Sequence, residues 1–307
     1  MFLWWERKVT MKIRVSLATA SLLQLKNYAL KANPTTLYFL LSGECKGGCL
    51  YCTHRKGYLS RVRWPEFDFE DVKDKIKKTD AKRICIQCPH GEGYIEMLEK
   101  IVRAIGNEKP VSVSITAITK EEMKILHDAG VERIGIGLDC ATEEIFNRWK
   151  KRVPSWNAYM EALTNAKKIF GNVTCHLIIG LGESDEEAIE LMKKLSRKGI
   201  KIALFAFFRK NVTAVDLSRY RAIQIARYFI EKGEGKFYFD NGKLIEMEIP
   251  YFSKEAFITS GCPDCNRPFY NERVTKIYNY PYLLNDEEAY KALKEARKYA
   301  RIYIASE

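Results

Sequence analysis

The chain has 307 residues, of which 47% are hydrophobic and 29% are charged, a composition typical of a globular protein rather than a disordered or fibrous one. Its apolar runs fall far short of the roughly 20 residues that a membrane helix needs, and the apolar start before Glu6 is too brief for a signal peptide. We therefore expect a cytoplasmic protein with no membrane partner. The formal net charge of +12 is compatible with an acidic partner, and equally with a solvated lysine- and glutamate-rich surface.

Six short apolar runs, rich in β-branched and aromatic residues, alternate with segments of helical period. The predicted strands are 35–41, 83–88, 111–116, 133–138, 173–179 and 200–208. The predicted helices are 94–105, 120–129, 185–197 and 215–231, and Thr119 with Glu122 predicts a capping box before the second of them. Repeated βα units favour a parallel sheet with helices around it.

The predicted fold is of the α/β class, a partial (β/α)6 TIM-like barrel with a C-terminal cysteine-bearing extension. We divide the chain into an N-terminal segment (1–34), the barrel (35–210) and the extension (211–307), which carries a C-x2-C motif. A hairpin around Asn241-Gly242 and a helix over 286–299 are expected in the extension. In such barrels the reactive side chains lie at the carboxyl ends of the strands, so the residues that follow each predicted strand are the candidates for a site.

The nine cysteines favour metal or redox chemistry over disulfides, because the cytosol keeps thiols reduced. Directly after the first predicted strand the sequence reads Cys45-Lys-Gly-Gly-Cys49-Leu-Tyr-Cys52. Three thiolates on one glycine-bearing loop suit a [4Fe-4S] cluster with one iron left open for a ligand. Structural zinc is the alternative, but zinc ordinarily takes four ligands in paired knuckles.

This spacing after the first strand, with aromatic Tyr51 before the last cysteine, resembles the signature of the radical S-adenosylmethionine (SAM) superfamily over about residues 35–210. The resemblance implies a [4Fe-4S] cluster on Cys45, Cys49 and Cys52 that binds SAM. It also implies reductive cleavage of SAM to a 5′-deoxyadenosyl radical, which removes hydrogen from an unactivated carbon. The cofactors carry that chemistry, and the protein positions them.

Three later segments are similar to SAM-binding motifs of that superfamily. The segment after the second strand resembles a Gly-Gly-Glu motif that receives the SAM amino group, the acid after the fourth strand resembles the ribose-binding acid of biotin synthase, and the fifth strand resembles a G-x-I-x-G-x-x-E motif that supports adenine. The residues that carry these matches are Gly91, Glu92, Asp139, Ile178 and Gly180. Two of the motifs have His where the family has their leading glycine. Helix capping is the alternative role for Asp139.

Two C-x2-C pairs remain, Cys85-Ile-Gln-Cys88 after the second strand and Cys262-Pro-Asp-Cys265 in the extension. They make a four-thiolate site, for zinc or for a second [4Fe-4S] cluster, if the extension folds back over the barrel mouth. Residues three apart in a strand point to opposite faces, so the first pair can act together only if the strand ends between its cysteines. Cys85 as a small buried hydrophobe is the alternative.

Residues 14–26, 34–36 and 260–271 together resemble the biotin-synthase-like proteins of archaea that serve as two-component lipoyl synthases. This resemblance implies sulfur insertion into an octanoyl chain, with an auxiliary [4Fe-4S] cluster as the sulfur source. The implied partners are a lipoyl carrier protein or another octanoylated domain, a reductant such as ferredoxin, and a paralogous lipoyl synthase component.

Two other functions remain open from the sequence. A biotin-synthase-like or tRNA-modifying radical SAM enzyme would keep the chemistry and change the substrate, although the sequence contains no separate basic domain that favours nucleic acid. A non-catalytic iron–sulfur or zinc protein would need the matches at Gly91, Asp139 and Gly180 to be coincidental.

Overall fold

The structure is a computed structural model and describes residues 11–53, 58–59, 62–208, 215–270 and 272–305. Residues 1–10 and residue 271, which belong to segments singled out above, lie outside these ranges. Within them the strands are β1 (Lys12–Val15), β2 (Thr36–Leu41), β3 (Tyr58–Leu59), β4 (Val62–Arg63), β5 (Glu66–Asp68), β6 (Arg83–Gln87), β7 (Val111–Ile115), β8 (Val131–Asp139), β9 (Val173–Ile179), β10 (Lys201–Ala206), β11 (Lys236–Asp240), β12 (Lys243–Ile249) and β13 (Arg301–Ile304). The α-helices are α1 (Leu17–Leu22), α2 (Phe69–Ile76), α3 (Tyr94–Ile105), α4 (Lys120–Asp128), α5 (Glu143–Trp149), α6 (Trp156–Phe170), α7 (Asp185–Arg197), α8 (Leu217–Ile230) and α9 (Asp286–Arg297).

The main sheet of the described residues has eight strands in the order β10-β9-β8-β7-β6-β2-β1-β5. The first six of these are parallel, and each pairs with its neighbour along the chain of βα units. Antiparallel β1 and β5 extend the sheet beyond β2, and among the described strands none pairs β5 with β10. The sheet is therefore open, and the predicted α/β partial barrel is confirmed.

All six predicted barrel strands are present in the predicted order. β9 has the predicted bounds, whereas β8 begins two residues earlier and β10 ends two residues earlier than expected. Helices α3 and α7 also have the predicted bounds, and Thr119 with Glu122 forms the predicted capping box at α4. These elements were predictable because strands covered on both faces read as continuous apolar runs, as in β2, where every residue is buried.

The sheet begins before the predicted barrel boundary at residue 35. β1 pairs with β2 in an antiparallel register that sets Arg14 opposite Leu40, and β5 pairs with the other edge of β1. Strands of three or four residues contain too few positions for a period to show. Part of the predicted N-terminal segment therefore belongs to the sheet.

Alternate residues of β2 face two different apolar cores. Leu37, Phe39 and Leu41 pack in the main core, under the helices that cover the outside of the sheet. Tyr38 and Leu40 lie on the inner face, where they form a second and smaller cluster with Trp64. The inner face of the barrel is thus partly filled by its own side chains.

The C-terminal extension packs against the amino-terminal end of the barrel. The hydroxyl of Thr36, the first residue of β2, donates to the carbonyl of Asp264 at 2.7 Å. Thr174, the second residue of β9, lies 3.5 Å from the sulfur of Cys262. The condition stated for a four-thiolate site, that the extension folds over the barrel mouth, is therefore not met, because this loop packs at the opposite end.

The hairpin expected around Asn241-Gly242 is present between β11 and β12. Both turn residues have positive φ, 48° and 77°, which is the backbone that an Asn-Gly turn favours. β13 adds to β12 in parallel, after α9. Within the ranges described, no helix is long and apolar enough to cross a membrane.

Candidate functional site

The three cysteines of the first motif lie on one loop at the carboxyl end of β2. Cys45 and Cys49 are half-buried and Cys52 is exposed; we call these three the loop cysteines. A Cβ added to Gly47 would lie 3.3 Å from the sulfur of Cys45, and one added to Gly48 would lie 3.2 Å from the Lys151 side chain. The two glycines therefore let the loop fold tightly between its neighbours, as the sequence predicted.

The donor set of this loop fits a cluster with three thiolate ligands better than it fits a single ion. Across the ranges that the structure describes, no three His, Cys, Asp or Glu side chains converge closely enough to hold one metal ion. An iron–sulfur cube distributes its thiolates over different irons, so its ligands lie further apart than the ligands of one ion. Three thiols from one short loop suit that arrangement.

Backbone hydrogen bonds hold the loop from two sides. On one side, the amide of Lys46 donates to the carbonyl of His90 at 2.8 Å, and the Tyr94 hydroxyl donates to the carbonyl of Glu44 at 3.0 Å. On the other side, the amides of Gly48 and Leu50 donate to the carbonyls of residues 151 and 149, at the end of α5 and just beyond it. The loop is thus fixed by parts of the chain that come much later in the sequence.

Gly91 and Glu92, the expected amino-group motif, lie beside this loop. A Cβ added to Gly91 would lie 3.0 Å from the ring of Tyr94, so glycine permits close packing there. The side chain of Glu92 is 95% exposed and lies 3.7 Å from the ammonium group of Lys46. The motif is at the expected edge of the barrel, with its carboxylate at the surface.

Asp139, the expected ribose-binding acid, ends β8 with φ at +67°. A left-handed backbone at a residue other than glycine costs about 1–2 kcal/mol, and such strain often marks a functional site. Its Oδ2 accepts hydrogen bonds from the Tyr51 hydroxyl at 2.5 Å and from the Lys150 ammonium group at 2.9 Å. Burial raises the pKa of Asp139, but Lys150 and then Tyr51 lower it more, so the net pKa lies below its usual value.

The expected adenine motif forms a tight turn after β9. The carboxylate of Glu183 accepts the amides of Gly180 at 2.7 Å and Leu181 at 2.9 Å, and it pairs with Arg219 at 3.0 Å. Helix α7 starts beyond this residue with Ser184 as its N-cap, so Glu183 holds the turn rather than the helix. A Cβ on Gly180 would lie 2.9 Å from Val215, which explains the glycine.

A cavity of about 240 Å³ runs through the inside of the barrel; we call it the inner cavity. At its carboxyl-terminal end lie Tyr51, Cys52, Asp139 and Ile178. Its middle is largely aromatic and aliphatic. The residues of this wall are Tyr38, Leu59, Trp64, Ala203, Phe205, Ala206, Phe207, Phe208 and Tyr270.

Three further cysteines, Cys85, Cys262 and Cys265, line the inner cavity near the amino-terminal end; we call them the interior cysteines. Burial raises the pKa of the Cys85 thiol, and Cys262 and Cys265 on the same cavity wall raise it further. The Tyr38 hydroxyl donates to the Cys265 sulfur at 3.4 Å, and the Gln87 amide donates to the Cys85 sulfur at 3.0 Å. The structure thus gathers one cysteine of β6 with both cysteines of the extension.

Cys88 does not join the interior cysteines. It follows the end of β6, where its thiol donates to the Pro89 carbonyl at 3.3 Å, and it lines a different cavity together with His90. Burial raises its pKa, and the next contribution comes from Cys45. The cause is strand alternation, since Cys85 and Gln87 point into the barrel and Cys88 does not. The expected four-thiolate set is therefore three thiols.

Three residues near the inner cavity had no assigned role in the sequence analysis. Lys150 carries no motif or spacing signal. Arg267 stacks 4.1 Å over the ring of Phe205 and donates its backbone amide to the Tyr38 hydroxyl at 2.8 Å. His176 lines the cavity, and burial lowers its pKa to about 4, so the imidazole is neutral. The one sequence signal for His176 was that it stands where the adenine motif of the family has its leading glycine.

A family model described as the Radical SAM superfamily matches residues 39–195. The biotin synthase of Prochlorococcus marinus (strain MIT 9215) is 29% identical over 175 residues, which cover 52% of this chain and 50% of that protein. The biotin synthase of P. marinus (strain MIT 9515) is 27% identical over 216 residues, covering 60% and 62%. The chain thus spans about half the length of the first of these relatives and somewhat more of the second.

Among solved structures, methylornithine synthase (PylB) superposes with a TM-score of 0.52 at 14% identity, covering 64% of this chain and 62% of that one. At this identity the likeness concerns the fold alone. It agrees with the open parallel sheet described above.

Proposed function

Because the chain belongs to the radical SAM superfamily, we propose that it inserts sulfur into an unactivated aliphatic chain, and specifically that it is a lipoyl synthase component acting on a protein-bound octanoyl group. One observation carries the proposal. Cys52 of the loop cysteines and all three interior cysteines line one cavity, whose wall is otherwise largely apolar.

The loop cysteines would hold the [4Fe-4S] cluster, and SAM would bind across Gly91, Glu92, Asp139, Ile178 and Gly180. When bound, cluster and SAM supply the removal of hydrogen from an unactivated carbon. The chain's own contribution is orientation. Tyr51 and Lys150 both bond Oδ2 of Asp139, which leaves Oδ1 for the hydroxyls of a ribose.

The interior cysteines would hold an auxiliary [4Fe-4S] cluster as the sulfur source. Three thiols, with polar groups of Tyr38 and Gln87 directed at two of them, suit a cluster inside the barrel. Structural zinc ordinarily takes four ligands, and the fourth expected thiol, that of Cys88, lies elsewhere. The auxiliary site is therefore proposed with three thiolates rather than four.

Cavity shape and net charge favour an acyl chain on a carrier protein as the substrate. An apolar passage suits an alkyl chain, since each buried methylene contributes about 0.8 kcal/mol. A substrate tethered to a carrier domain would reach the cavity from the carboxyl-terminal face, and an acidic carrier would complement the net charge of +12. A ferredoxin-like reductant and a paralogous lipoyl synthase component complete the proposed partners.

A biotin-synthase-like reaction is the second candidate, because the curated relatives described above carry that name. It shares the sulfur insertion and differs in the substrate, a small free molecule in place of an acyl chain on a protein. Incubation with an octanoylated carrier and with the biotin precursor, side by side, separates the two.

Iron content of cysteine variants, reconstituted without oxygen, tests the proposal. Wild type is expected to hold about eight irons, and Ala variants of either cysteine group about four, since each [4Fe-4S] cluster contributes four. The variant of the interior cysteines should keep SAM cleavage and lose sulfur insertion. Cys88→Ala is the matched control. It should keep the full iron content of wild type and also keep sulfur insertion. Four irons in wild type, or insertion that survives loss of the interior cysteines, would rule out the auxiliary cluster.

A further inference from the structure

Three consecutive residues at the end of α5 contact the cysteine loop, Asp139 and the turn of the adenine motif. The carbonyl of Lys151 accepts the amide of Gly48 at 2.6 Å, and the carbonyl of Trp149 accepts the amide of Leu50 at 2.8 Å. Residues 149–151 thus hold the backbone of the loop on which the loop cysteines lie.

The same segment bonds the turn of the adenine motif. The indole N–H of Trp149 donates to the carbonyl of Leu181 at 2.7 Å, one residue beyond Gly180. Its ring packs 5.4 Å from that of Phe207, in the wall of the inner cavity. A shift of Trp149 would therefore move the cysteine loop and the turn together.

Lys150, between these two residues, points inward. Its side chain is only 2% exposed and that of Asp139 is 16% exposed, and their groups are 2.9 Å apart. The ammonium group also donates to the carbonyl of Gly137 and lies 4.4 Å from the centre of the Tyr159 ring. A buried cation needs such partners, because an unpaired charge inside a protein is strongly disfavoured. Asp139 is consequently held in one orientation by a residue that is itself fixed.

We propose that Lys150 is a positioning residue for the nucleoside half of SAM: it orients Asp139, and the 149–151 backbone couples that orientation to the order of the cysteine loop. The inference rests on the proposed SAM binding and adds a coupling to it. Because coupling between two sites is reciprocal, filling the loop with its cluster strengthens nucleoside binding, and the nucleoside strengthens cluster retention.

Binding of 5′-deoxyadenosine, measured by anaerobic calorimetry, tests this coupling. This probe lacks the amino and carboxylate groups of SAM and so cannot bind the open iron, which means that any effect of iron on its affinity passes through the protein. In wild type we expect the reconstituted protein to bind it at least about fivefold more tightly than the iron-free protein, at the lower end of usual coupling factors.

Lys150→Met should weaken the probe about tenfold or more in the reconstituted protein and bring the ratio between reconstituted and iron-free protein close to one. Lys150→Arg should recover part of the affinity. Lys151→Met is the matched control, because it removes the neighbouring charge and keeps both backbone carbonyls. Equal affinity in wild type and Lys150→Met, or an unchanged ratio, would overturn the proposal.

Lys150→Met leaves Asp139 without its cation, so a second variant guards against misfolding. Asp139→Asn/Lys150→Met removes both charges and should fold, with weak binding of the probe. Probe binding as tight as in wild type would refute the positioning role. Failure of the proposed SAM binding would give a different result, since cluster-loaded wild type would then bind neither SAM nor 5′-deoxyadenosine.

Discussion

The two cysteine groups of this barrel are built in opposite ways. The loop cysteines come from eight consecutive residues at the carboxyl end of β2, where one of them is exposed. The interior cysteines come from β6 and from a loop near the end of the chain, and they are closed in by Tyr38 and Arg267. One group is a local motif placed on a fold, and the other exists only when the fold is complete.

The difference predicts how each group responds to change. Damage at the loop should affect SAM chemistry and leave the interior cysteines in place. Damage to the packing of the C-terminal extension on the amino-terminal end of the barrel should disturb the interior cysteines and leave SAM chemistry in place.

Replacing the three loop cysteines by Ala should lower the rate of SAM cleavage at least about a thousandfold, equal to about 4 kcal/mol of activation free energy. Replacing the interior cysteines should change it less than about threefold, under 1 kcal/mol. Formation of 5′-deoxyadenosine with a chemical reductant measures both. Comparable losses in the two variants would show that the groups do not act separately.

Asp139→Asn should reduce the free energy of unfolding by about 3–5 kcal/mol, because it leaves Lys150 buried without its carboxylate. Urea unfolding of the iron-free protein gives the value. The exposed pair Glu144–Arg148 supplies the control, since Glu144→Gln should cost less than about 1 kcal/mol. If Asp139→Asn costs no more than Glu144→Gln, the buried pair does not stabilise the cysteine-loop end.

Gly261→Ala should loosen the packing of the C-terminal extension on the amino-terminal end of the barrel. Gly261 has φ at +114°, and an added Cβ would lie 2.7 Å from Ala203 and 3.1 Å from Thr174. Backbone strain and overpacking together should cost about 2–4 kcal/mol. Gly233→Ala is the control with a left-handed backbone and nothing within 4 Å of the added Cβ, so it should cost only the strain, about 1 kcal/mol.

The same pair of glycine variants also separates the two proposed clusters. Gly261→Ala should lose irons held by the interior cysteines first, while the SAM-dependent iron signal persists. An equal loss of both kinds of iron would mean that the two ends of the barrel are not independent.

His176 should make stability depend on pH. Its pKa of about 4 in the folded chain lies below the usual value of about 6.5, so the unfolded chain takes up the proton first. Its contribution is complete above about pH 6.5 and is lost as the pH falls toward 4, with about 1–2 kcal/mol gone by pH 5 after allowance for solvent in the cavity.

Urea unfolding at pH 7 and pH 5 isolates this contribution. His176→Gln should reduce the pH dependence by that amount, whereas His127→Gln, at an exposed position on α4, should leave it unchanged. An identical slope in wild type and His176→Gln would show that the imidazole takes up protons as freely in the folded chain as in the unfolded one.

The barrel and the loop cysteines could be predicted from the sequence because their signals are local. Buried strands read as apolar runs, capping boxes occupy four residues, and the spacing from Cys45 to Cys52 is visible by inspection. Short strands such as β1 gave no such signal, since four residues show no period.

The interior group shows what local signals leave out. Strand alternation allowed either of two arrangements for Cys85 and Cys88, and the sequence could not decide between them. The side of the barrel on which the extension packs depends on contacts such as Thr36 with Asp264, which are 228 residues apart. Lys150 was missed for a similar reason, because a buried lysine is recognised by its partner and not by its neighbours in sequence.

The separation of Thr36 and Asp264 also sets an order of events during synthesis. A ribosome that adds about 5–20 residues per second needs about 10–40 s to pass from the loop cysteines to the end of the interior group. Within that interval the strands that carry Cys85 and Asp139 are synthesised, while the amino-terminal end of the barrel still lacks the extension that covers it. Contacts of such long range also slow folding. The two cysteine groups are therefore completed at different times. The nascent chain presents all three loop cysteines well before the interior cysteines are complete.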